Sequence, residues 1–173
     1  FTSRHHDGFS MWNTKQSKYN IVEATPFGRD VIKELAEACK EEGIRLHFYY
    51  SHLDWMRDDY PMGRTGTNVG KPRDKADWKS YYSFMNNQLT ELLTQYGPVG
   101  AIWFDGWWDH DEDSVPFDWH LQAQYELIHR LQPACLVGNN HHGAPMEGED
   151  IQIFERDLPG EMTTGFAKSV AEV

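Results

Sequence analysis

Residues 101–108 decide the fold: Ala101-Ile102-Trp103-Phe104-Asp105-Gly106-Trp107-Trp108. A short apolar run ends here in one acidic residue that is bracketed by indoles. A buried strand that ends in this way places a carboxylate at the mouth of a sheet or barrel, between flat aromatic faces. Such faces suit sugar rings, and a carboxylate among them suits glycosidic chemistry. The alternative is a helix-capping or turn aspartate, because Asp is common in such turns.

Helices and strands alternate on both sides of this stretch. Apolar residues recur at helical spacing over residues 31–39, about 78–96 and about 118–131. Strand-like runs cover residues 44–50, 134–138 and 151–155. This order predicts βαβ units and a parallel sheet, which is the α/β class. A (β/α)8 barrel needs about 250 residues, so this chain would supply about the middle half of one.

We expect residues 1–173 to be part of a single barrel domain that is truncated at both ends. The chain does not begin with Met, and its opening, Phe1-Thr2-Ser3, resembles the middle of a strand. Half a barrel leaves sheet edges unpaired, so this piece alone is expected to be unstable and inactive. No Gly-x-Gly-x-x-Gly motif follows a predicted strand, which weakens a dinucleotide-binding interpretation.

The predicted strands share a polar or aromatic ending. In a parallel barrel and in an open parallel sheet alike, catalytic and binding residues lie where the strands end and the loops begin. The endings are His5-His6-Asp7-Gly8-Phe9, Tyr49-Tyr50-Ser51, Asp105, Asn139-Asn140-His141-His142 and Glu155.

Strand parity indicates which side chains share a face with Asp105. Because side chains alternate with period two, Trp103 lies on the face of Asp105, while Ile102 and Phe104 turn toward the helices. By the same rule Tyr49, more than Tyr50, should reach the site. Five tryptophans are expected near loops, where ligand contact is common: Trp12, Trp55, Trp103, Trp107 and Trp108.

Composition excludes two classes of partner. The chain carries 27 acidic and 16 basic residues, a formal charge of −11, which argues against a nucleic acid or an anionic membrane. No apolar stretch approaches the roughly 20 residues of a membrane span. Cys39 and Cys135 fall in apolar periodic segments and are expected to be buried thiols rather than a disulfide.

Metal binding is the less favoured interpretation of the histidine pairs, His5-His6 and His141-His142. Adjacent residues on a strand point to opposite faces, so both rings cannot easily ligate one ion. Hydrogen bonds to sugar hydroxyls are favoured, because a neutral imidazole offers one donor and one acceptor. The acidic run of residues 109–113 is interpreted as a solvated loop rather than a cation site. We therefore expect no metal and no cofactor.

Together these residues resemble the catalytic domain of glycoside hydrolase family 29, the α-L-fucosidases. The resemblance covers nearly the whole chain in the family's order, and its most specific pieces are His-His-Asp-Gly-Phe and Trp-Phe-Asp-Gly in combination. The matching pieces are residues 2–9, 19–20, 25–30, 48–51, 54–55, 103–106 and 139–140.

The resemblance implies a catalytic (β/α)8-like barrel and retaining hydrolysis of terminal α-L-fucosyl residues through a covalent intermediate. Asp105 stands at the family's nucleophile, His5 and His6 at its fucose-binding histidine pair, Tyr49 at a substrate-contacting tyrosine and Trp103 at a pocket tryptophan. Trp108 should help to shape the pocket. His141 stands where the family often has a substrate-contacting arginine.

The resemblance leaves the acid/base open. Glu155 is similar to the glutamate that some members use, whereas others use one in a later segment that this chain does not contain. Glu149 and Glu161 are further carboxylates, which we interpret as loop residues.

The implied partner is a fucosylated oligosaccharide or glycoconjugate, and the implied location is secreted or periplasmic. Three other functions fit the residues: a retaining hydrolase for another sugar, an inactive carbohydrate-binding barrel, and a metal-dependent hydrolase.

Overall fold

Parallel strands form one sheet in the computed structural model, which describes residues 1–66, 69–70, 73–155 and 170–172. The sheet follows the chain order, β1 to β6, and every pairing is parallel. The strands are β1 Thr2–Arg4, β2 His47–Ser51, β3 Ala101–Asp105, β4 Leu136–Asn139, β5 Ile151–Glu155 and β6 Val170–Glu172.

Three helices connect the first four strands: α1 Val31–Glu41, α2 Trp78–Gln95 and α3 Leu121–Leu131. Helix α1 begins where the sequence predicts, because Asp30 caps it by accepting a hydrogen bond from Lys33 N at 2.9 Å. Residues 140–150 join β4 to β5 without a helix. The predicted α/β alternation is confirmed over the first four strands.

Helix α3 starts three residues later than expected. Its N-cap position is His120, which has a positive φ of 53° and makes no capping hydrogen bond with its side chain. Asp118 instead lies outside the helix and accepts a hydrogen bond from His120 N at 2.9 Å. The spacing of apolar residues locates the helix but does not reveal this bend, because Asp118 fits an N-cap equally well.

Register brings the strand ends together. Ser51, the last residue of β2, is paired with Asp105, the last residue of β3, and Phe104 is paired with Asn139 of β4. On the other side of β2, Arg4 is paired with Tyr50. Because carboxyl ends of parallel strands lie at one edge of a sheet, the polar strand endings form one cluster.

The hydrophobic core lies between the sheet and the helices. Ile102 and Phe104 are fully buried in it, as strand parity predicts, together with Met85 and Leu89 of α2 and Ile128 of α3. Burial of these apolar side chains stabilises the fold by about 25 cal/mol for each Å² of apolar surface removed from water.

Two sequence expectations, one about Trp12 and one about the two cysteines, hold only in part. Trp12 lies in the loop between β1 and α1, as expected, but it is fully buried in the core and donates a hydrogen bond to Glu91 at 2.9 Å, so it is not available for ligand contact. Both cysteines are free thiols, as expected, but only Cys135 is buried. None of the helices in the described part of the chain combines the length and apolarity that a membrane crossing requires.

Candidate active site

Asp105 lies at the carboxyl end of β3 and is 6% exposed. Its Oδ1 accepts hydrogen bonds from Gly106 N at 2.7 Å, Trp108 Nε1 at 3.0 Å and Asn140 Nδ2 at 3.2 Å. Its Oδ2 accepts a hydrogen bond from Tyr49 Oη at 2.8 Å. The turn that follows is tight, because Gly106 has a φ of 101° and a Cβ there would lie 3.1 Å from Leu53 N.

These donors keep Asp105 ionised. Burial alone raises the pKa of Asp105, but the hydrogen bonds from Tyr49 and Trp108 outweigh that effect and hold this pKa below its usual value. Conversely, burial and the charge of Asp105 raise the pKa of Tyr49, so its hydroxyl stays protonated and can only donate to the carboxylate. Trp103 meets the Tyr49 ring edge-on, with ring centroids 4.9 Å apart.

The histidine pair lies beside Asp105, although not in strand geometry. Strand β1 ends at Arg4, and a turn follows in which Gly8 N donates to His5 O at 3.0 Å. The two rings therefore adjoin, with centroids 4.1 Å apart, instead of pointing to opposite faces as we expected. His5 stacks on Tyr49 with centroids 5.1 Å apart, and His6 Nε2 lies 3.6 Å from Asp105 Oδ2.

The hydrogen bonds of His6 define its tautomer. Ser51 Oγ donates its one proton to Leu53 O at 2.7 Å, so it must accept from His6 Nδ1, which also lies 2.7 Å away. Burial and the neighbouring His5 lower the pKa of His6 to about 4. At neutral pH His6 is therefore uncharged, protonated on Nδ1, and its Nε2 is a hydrogen-bond acceptor on the side of Asp105.

Asn140 connects Asp105 with Glu155. Its Nδ2 donates to Asp105 Oδ1 and to Glu155 Oε2, at 3.2 Å in each case. Its Oδ1 accepts from Glu155 N at 3.2 Å and from His142 Nε2 at 2.7 Å, which fixes the orientation of the amide. The sequence singles out Asn140 as part of a motif but does not reveal that it bridges two carboxylates.

His141 and Glu149 form a separate buried pair. His141 Nε2 lies 2.7 Å from Glu149 Oε1, and both side chains are almost inaccessible. Glu149 also accepts hydrogen bonds from Tyr125 Oη at 3.2 Å and Gln152 Nε2 at 2.5 Å. Glu149 lies in the loop between β4 and β5, as expected, but its side chain is buried and anchors that loop. Glu161, the other expected loop carboxylate, lies outside the described residues.

Tryptophan side chains form the walls of the site. His6 meets Trp55 and Trp108 edge-on, with ring centroids 5.4 Å apart in both pairs. Trp55 Nε1 donates a hydrogen bond to Thr65 Oγ1 at 3.0 Å, so Thr65 helps to fix the position of the Trp55 ring.

The acidic run after Asp105 is only partly solvated. Asp109 is 1% exposed and belongs to a short 3₁₀ helix, Trp107–His110. Its carboxylate accepts hydrogen bonds from Tyr60 Oη at 2.7 Å, Gly63 N at 3.2 Å, and Thr65 N and Oγ1 at 2.9 and 2.6 Å. Asp109 therefore anchors the loop that carries Trp55, so the expectation that residues 109–113 form a solvated loop is wrong for Asp109.

Arg4 is a site-supporting residue that sequence reasoning missed. It is fully buried, donates to Ser51 O at 3.0 Å and Tyr81 Oη at 2.7 Å, and pairs with Asp54 at 2.5 Å. It therefore holds the end of β2, which bears the Ser51 hydroxyl that sets the His6 tautomer. Its position beside the histidine motif was the only signal in the sequence.

Within the described residues, no group of three or more histidine, cysteine or carboxylate side chains has the arrangement of a metal site. The chemistry of the cluster is instead that of two carboxylates joined by one amide, with the neutral imidazole of His6 and indoles around them. Such an arrangement can bind a polyhydroxylated ring and attack its anomeric carbon.

Comparison with protein families and curated proteins gives consistent results. A family model described as Alpha-L-fucosidase matches residues 1–170. Alpha-L-fucosidase 1 of Arabidopsis thaliana is 33% identical over 138 residues, which are 79% of this chain and 24% of that protein. Putative alpha-L-fucosidase 1 of Oryza sativa subsp. japonica is 34% identical over 139 residues, 79% of this chain and 23% of that protein. The chain spans about a quarter of the length of these relatives.

Solved structures of alpha-L-fucosidases have a similar fold. Alpha-L-fucosidase isoenzyme 1 from Paenibacillus thiaminolyticus aligns with a TM-score of 0.77 and 33% identity, over 92% of this chain and 39% of that chain. Alpha-L-fucosidase AlfC from Lactobacillus casei, solved with its alpha-L-fucose product, aligns with a TM-score of 0.73 and 27% identity, over 95% and 52%. These neighbours confirm the predicted fold class, an α/β TIM-like barrel.

Proposed function

This chain belongs to the alpha-L-fucosidase family, and we propose that the protein that contains it is a retaining exo-α-L-fucosidase with Asp105 as its nucleophile. The observation that carries the proposal is the Asn140 amide, which joins the ionised Asp105 to a second carboxylate, Glu155. A retaining glycosidase needs such a pair, one carboxylate beneath the anomeric carbon and one carboxylic acid beside the leaving oxygen.

The spacing of the two carboxylates supports retention. Asp105 Oδ1 and Glu155 Oε2 each lie 3.2 Å from Asn140 Nδ2, so they cannot be farther apart than twice that distance. Retaining enzymes have carboxylates about 5–5.5 Å apart, whereas inverting enzymes need about 6.5–9.5 Å to admit a water molecule.

Asp105 Oδ2 is the oxygen that attacks. Oδ1 already accepts three hydrogen bonds, whereas among the described residues Oδ2 accepts one, from Tyr49, and retains lone-pair capacity. The attack forms a bond from Oδ2 to the anomeric carbon and releases the leaving oxygen, which takes a proton from Glu155. Glu155 then removes a proton from water, which attacks the same carbon and releases Asp105.

The surrounding residues suit a fucosyl ring. Neutral His6 presents Nε2 as an acceptor for a hydroxyl proton, and the exposed His5 ring stacks on Tyr49 beside it. Trp103 and Trp108 supply flat apolar faces for the ring carbons. His141 is paired with Glu149 and its side chain is 1% exposed, so it offers almost no surface for the substrate contact that the resemblance implies. The substrate class is a fucosylated oligosaccharide or glycoconjugate.

Two measurements on the full-length protein test the proposal. A panel of 4-nitrophenyl glycosides should show turnover of the α-L-fucoside and not of other sugars, and EDTA should leave the rate unchanged. Proton NMR of the first seconds of reaction should show α-L-fucose before its mutarotation. Formation of β-L-fucose as the first product would contradict the proposed covalent mechanism. Failure to cleave any α-L-fucoside would contradict the proposed α-L-fucosidase activity.

A further inference from the structure

A cleft of about 590 Å³ opens at the carboxyl edge of the sheet, outside the cluster around Asp105. It lies between the first turns of α2 and α3 and the loop that joins β4 to β5. Aromatic and polar side chains line it together, which distinguishes it from a gap in the core. We call it the Trp107 cleft; its principal lining residues are Trp107, Phe117, His120, Gln122, Met146 and Glu147.

The Trp107 cleft and the candidate active site share one structural element. Trp107 and Trp108 are neighbours in the short 3₁₀ helix that follows β3. Trp108 donates to the carboxylate of Asp105, whereas Trp107 lines the cleft. The Trp107 ring also lies 6.2 Å from the ring of His141, the residue after Asn140. One helical turn therefore contributes a wall to both places.

The lining suits an uncharged saccharide. The half-buried rings of Trp107 and Phe117 offer apolar faces. The exposed Gln122 amide donates to Glu126 at 3.3 Å and offers its second hydrogen and its oxygen to a ligand. Two carboxylates, Asp118 and Glu147, stand on the rim, and the lining contains no Lys or Arg among the residues that the structure describes. This balance of charge disfavours anionic ligands such as phosphates or acidic sugars.

The size of the cleft is also adequate. Its volume of about 590 Å³ falls inside the roughly 300–1,000 Å³ range of small-molecule sites. Trp119 and Leu121, which form its floor, are buried, so the floor is part of the packed core and does not depend on a ligand. His120 accepts a hydrogen bond from Tyr82 Oη at 3.0 Å on its carbonyl, which fixes the rim between α2 and α3.

We infer that the Trp107 cleft binds the neutral sugar to which the fucosyl group is attached. This inference rests on the proposed function, because the fucosyl ring must first occupy the site at Asp105. The cleft would then hold the remainder of the glycan on the side of the site from which the leaving oxygen departs, near the loop between Asn140 and Glu155. An aryl fucoside, which lacks that sugar, would leave the cleft empty.

The test compares two substrates in variants of the full-length protein. Ala123 is exposed on the first turn of α3 and lines the cleft, so Ala123→Arg fills the cleft without removing a packed side chain. Phe117→Ala removes an aromatic wall. Ala38→Arg, at an exposed position of α1, is the matched control for added bulk and charge on a helix. The substrates are 4-nitrophenyl α-L-fucoside and the best-cleaved member of a set of fucosylated trisaccharides with different linkages.

We expect Ala123→Arg and Phe117→Ala to lower kcat/KM for the trisaccharide at least about tenfold, mainly through KM, with less than about twofold change for the aryl fucoside. Ala38→Arg should change neither value. Equal losses on both substrates, no loss on either, or failure of the wild type to cleave any trisaccharide would overturn the inference. If the wild type cleaves no fucoside of any kind, the proposed function fails instead.

Discussion

At the scale of single residues, the decisive feature is a buried carboxylate that remains charged. Water normally stabilises an ionised carboxylate, and Asp105 has lost most of that water. Hydrogen bonds from Tyr49, Trp108, Gly106 and Asn140 replace it. These donors also fix the carboxylate in one orientation, which is a requirement for attack on a bound sugar.

Removal of one donor should show this effect. Tyr49→Phe deletes the hydrogen bond to Asp105 Oδ2, so the pKa of Asp105 should rise. Because the proposed nucleophile must be ionised, activity is lost as pH falls through that pKa, and the acidic limb of the kcat/KM profile should move to higher pH. We expect kcat/KM at the optimum to fall about 10- to 100-fold. The measurement is a pH profile of aryl α-L-fucoside hydrolysis by the full-length protein.

Tyr50→Phe provides the matched control. The Tyr50 hydroxyl donates to Gln88 at 2.8 Å on the opposite face of the same strand. Its loss leaves a buried amide oxygen with one partner fewer, so Tm should fall while the pH profile stays in place. An acidic limb that moves equally in both variants would show that the Tyr49 effect is merely structural.

At the scale of elements, the loops are held by buried polar side chains rather than by secondary structure. The Asp109 carboxylate holds the loop of residues 60–65 in place by accepting hydrogen bonds from Tyr60, Gly63 and Thr65. Burial and the charge of Asp109 together raise the pKa of Tyr60, so its hydroxyl remains a donor. Trp55 donates a hydrogen bond to Thr65, and Thr65 donates to Asp109. The position of the Trp55 ring therefore depends on Asp109.

Asp109→Ala should therefore loosen the loop. The change leaves the Tyr60 hydroxyl and two backbone N–H groups without their acceptor, and we expect a loss of about 3 kcal/mol in the free energy of unfolding. Hydrogen exchange should become faster over residues 55–66. Asp111→Ala, which removes a partly exposed carboxylate 3.2 Å from Arg64, is the control and should cost less than about 0.5 kcal/mol. Equal exchange rates in the two variants would contradict the role of Asp109.

Local patterns in the sequence predict the elements well and their supporting contacts poorly. Helical spacing, strand parity and the polar strand endings place Asp105, Tyr49 and the core residues Ile102 and Phe104 correctly. The Arg4–Asp54 pair could not be predicted, because it joins residues 50 positions apart and a buried arginine has no periodic signature. The turn after Arg4, which brings the two histidine rings together, was obscured by the expectation of a longer strand.

At the scale of the whole molecule, buried neutral histidines couple stability to pH. Burial lowers the pKa of His52, like that of His6, to about 4, whereas an unfolded histidine titrates near 6.5. The unfolded chain therefore binds more protons in this range. The stabilisation is fully present above about pH 6.5 and is lost as pH falls toward 4.

Urea unfolding of the full-length protein between pH 7.5 and 4.5 checks this coupling. The free energy of unfolding should fall as the pH is lowered, with a contribution approaching one proton from each of the two histidines. His52→Gln can keep a donor to Gln124 Oε1 and removes one titrating group, so its slope should be shallower by up to one proton. A slope that does not change in this variant would exclude His52 from the coupling.

The sheet separates two parts of the molecule. The hydrophobic core lies between the sheet and the helices, and the candidate active site lies where the parallel strands end. The chain spans about a quarter of its curated relatives, and we propose that residues 1–173 are one part of a single catalytic barrel domain. Within this part, Asn140 already links Asp105 to its proposed acid/base, Glu155, and Trp108 already contacts the Asp105 carboxylate.

The central claim, that Asp105 forms the covalent bond to fucose, is tested most directly by chemical rescue. Asp105→Ala in the full-length protein should lower turnover of 4-nitrophenyl α-L-fucoside by at least about a thousandfold. Sodium azide should restore it, because azide enters the space that the carboxylate has left and attacks the same face of the sugar. The account predicts β-L-fucosyl azide as the product. Near-normal turnover without azide, or the α-azide as the product, would contradict it.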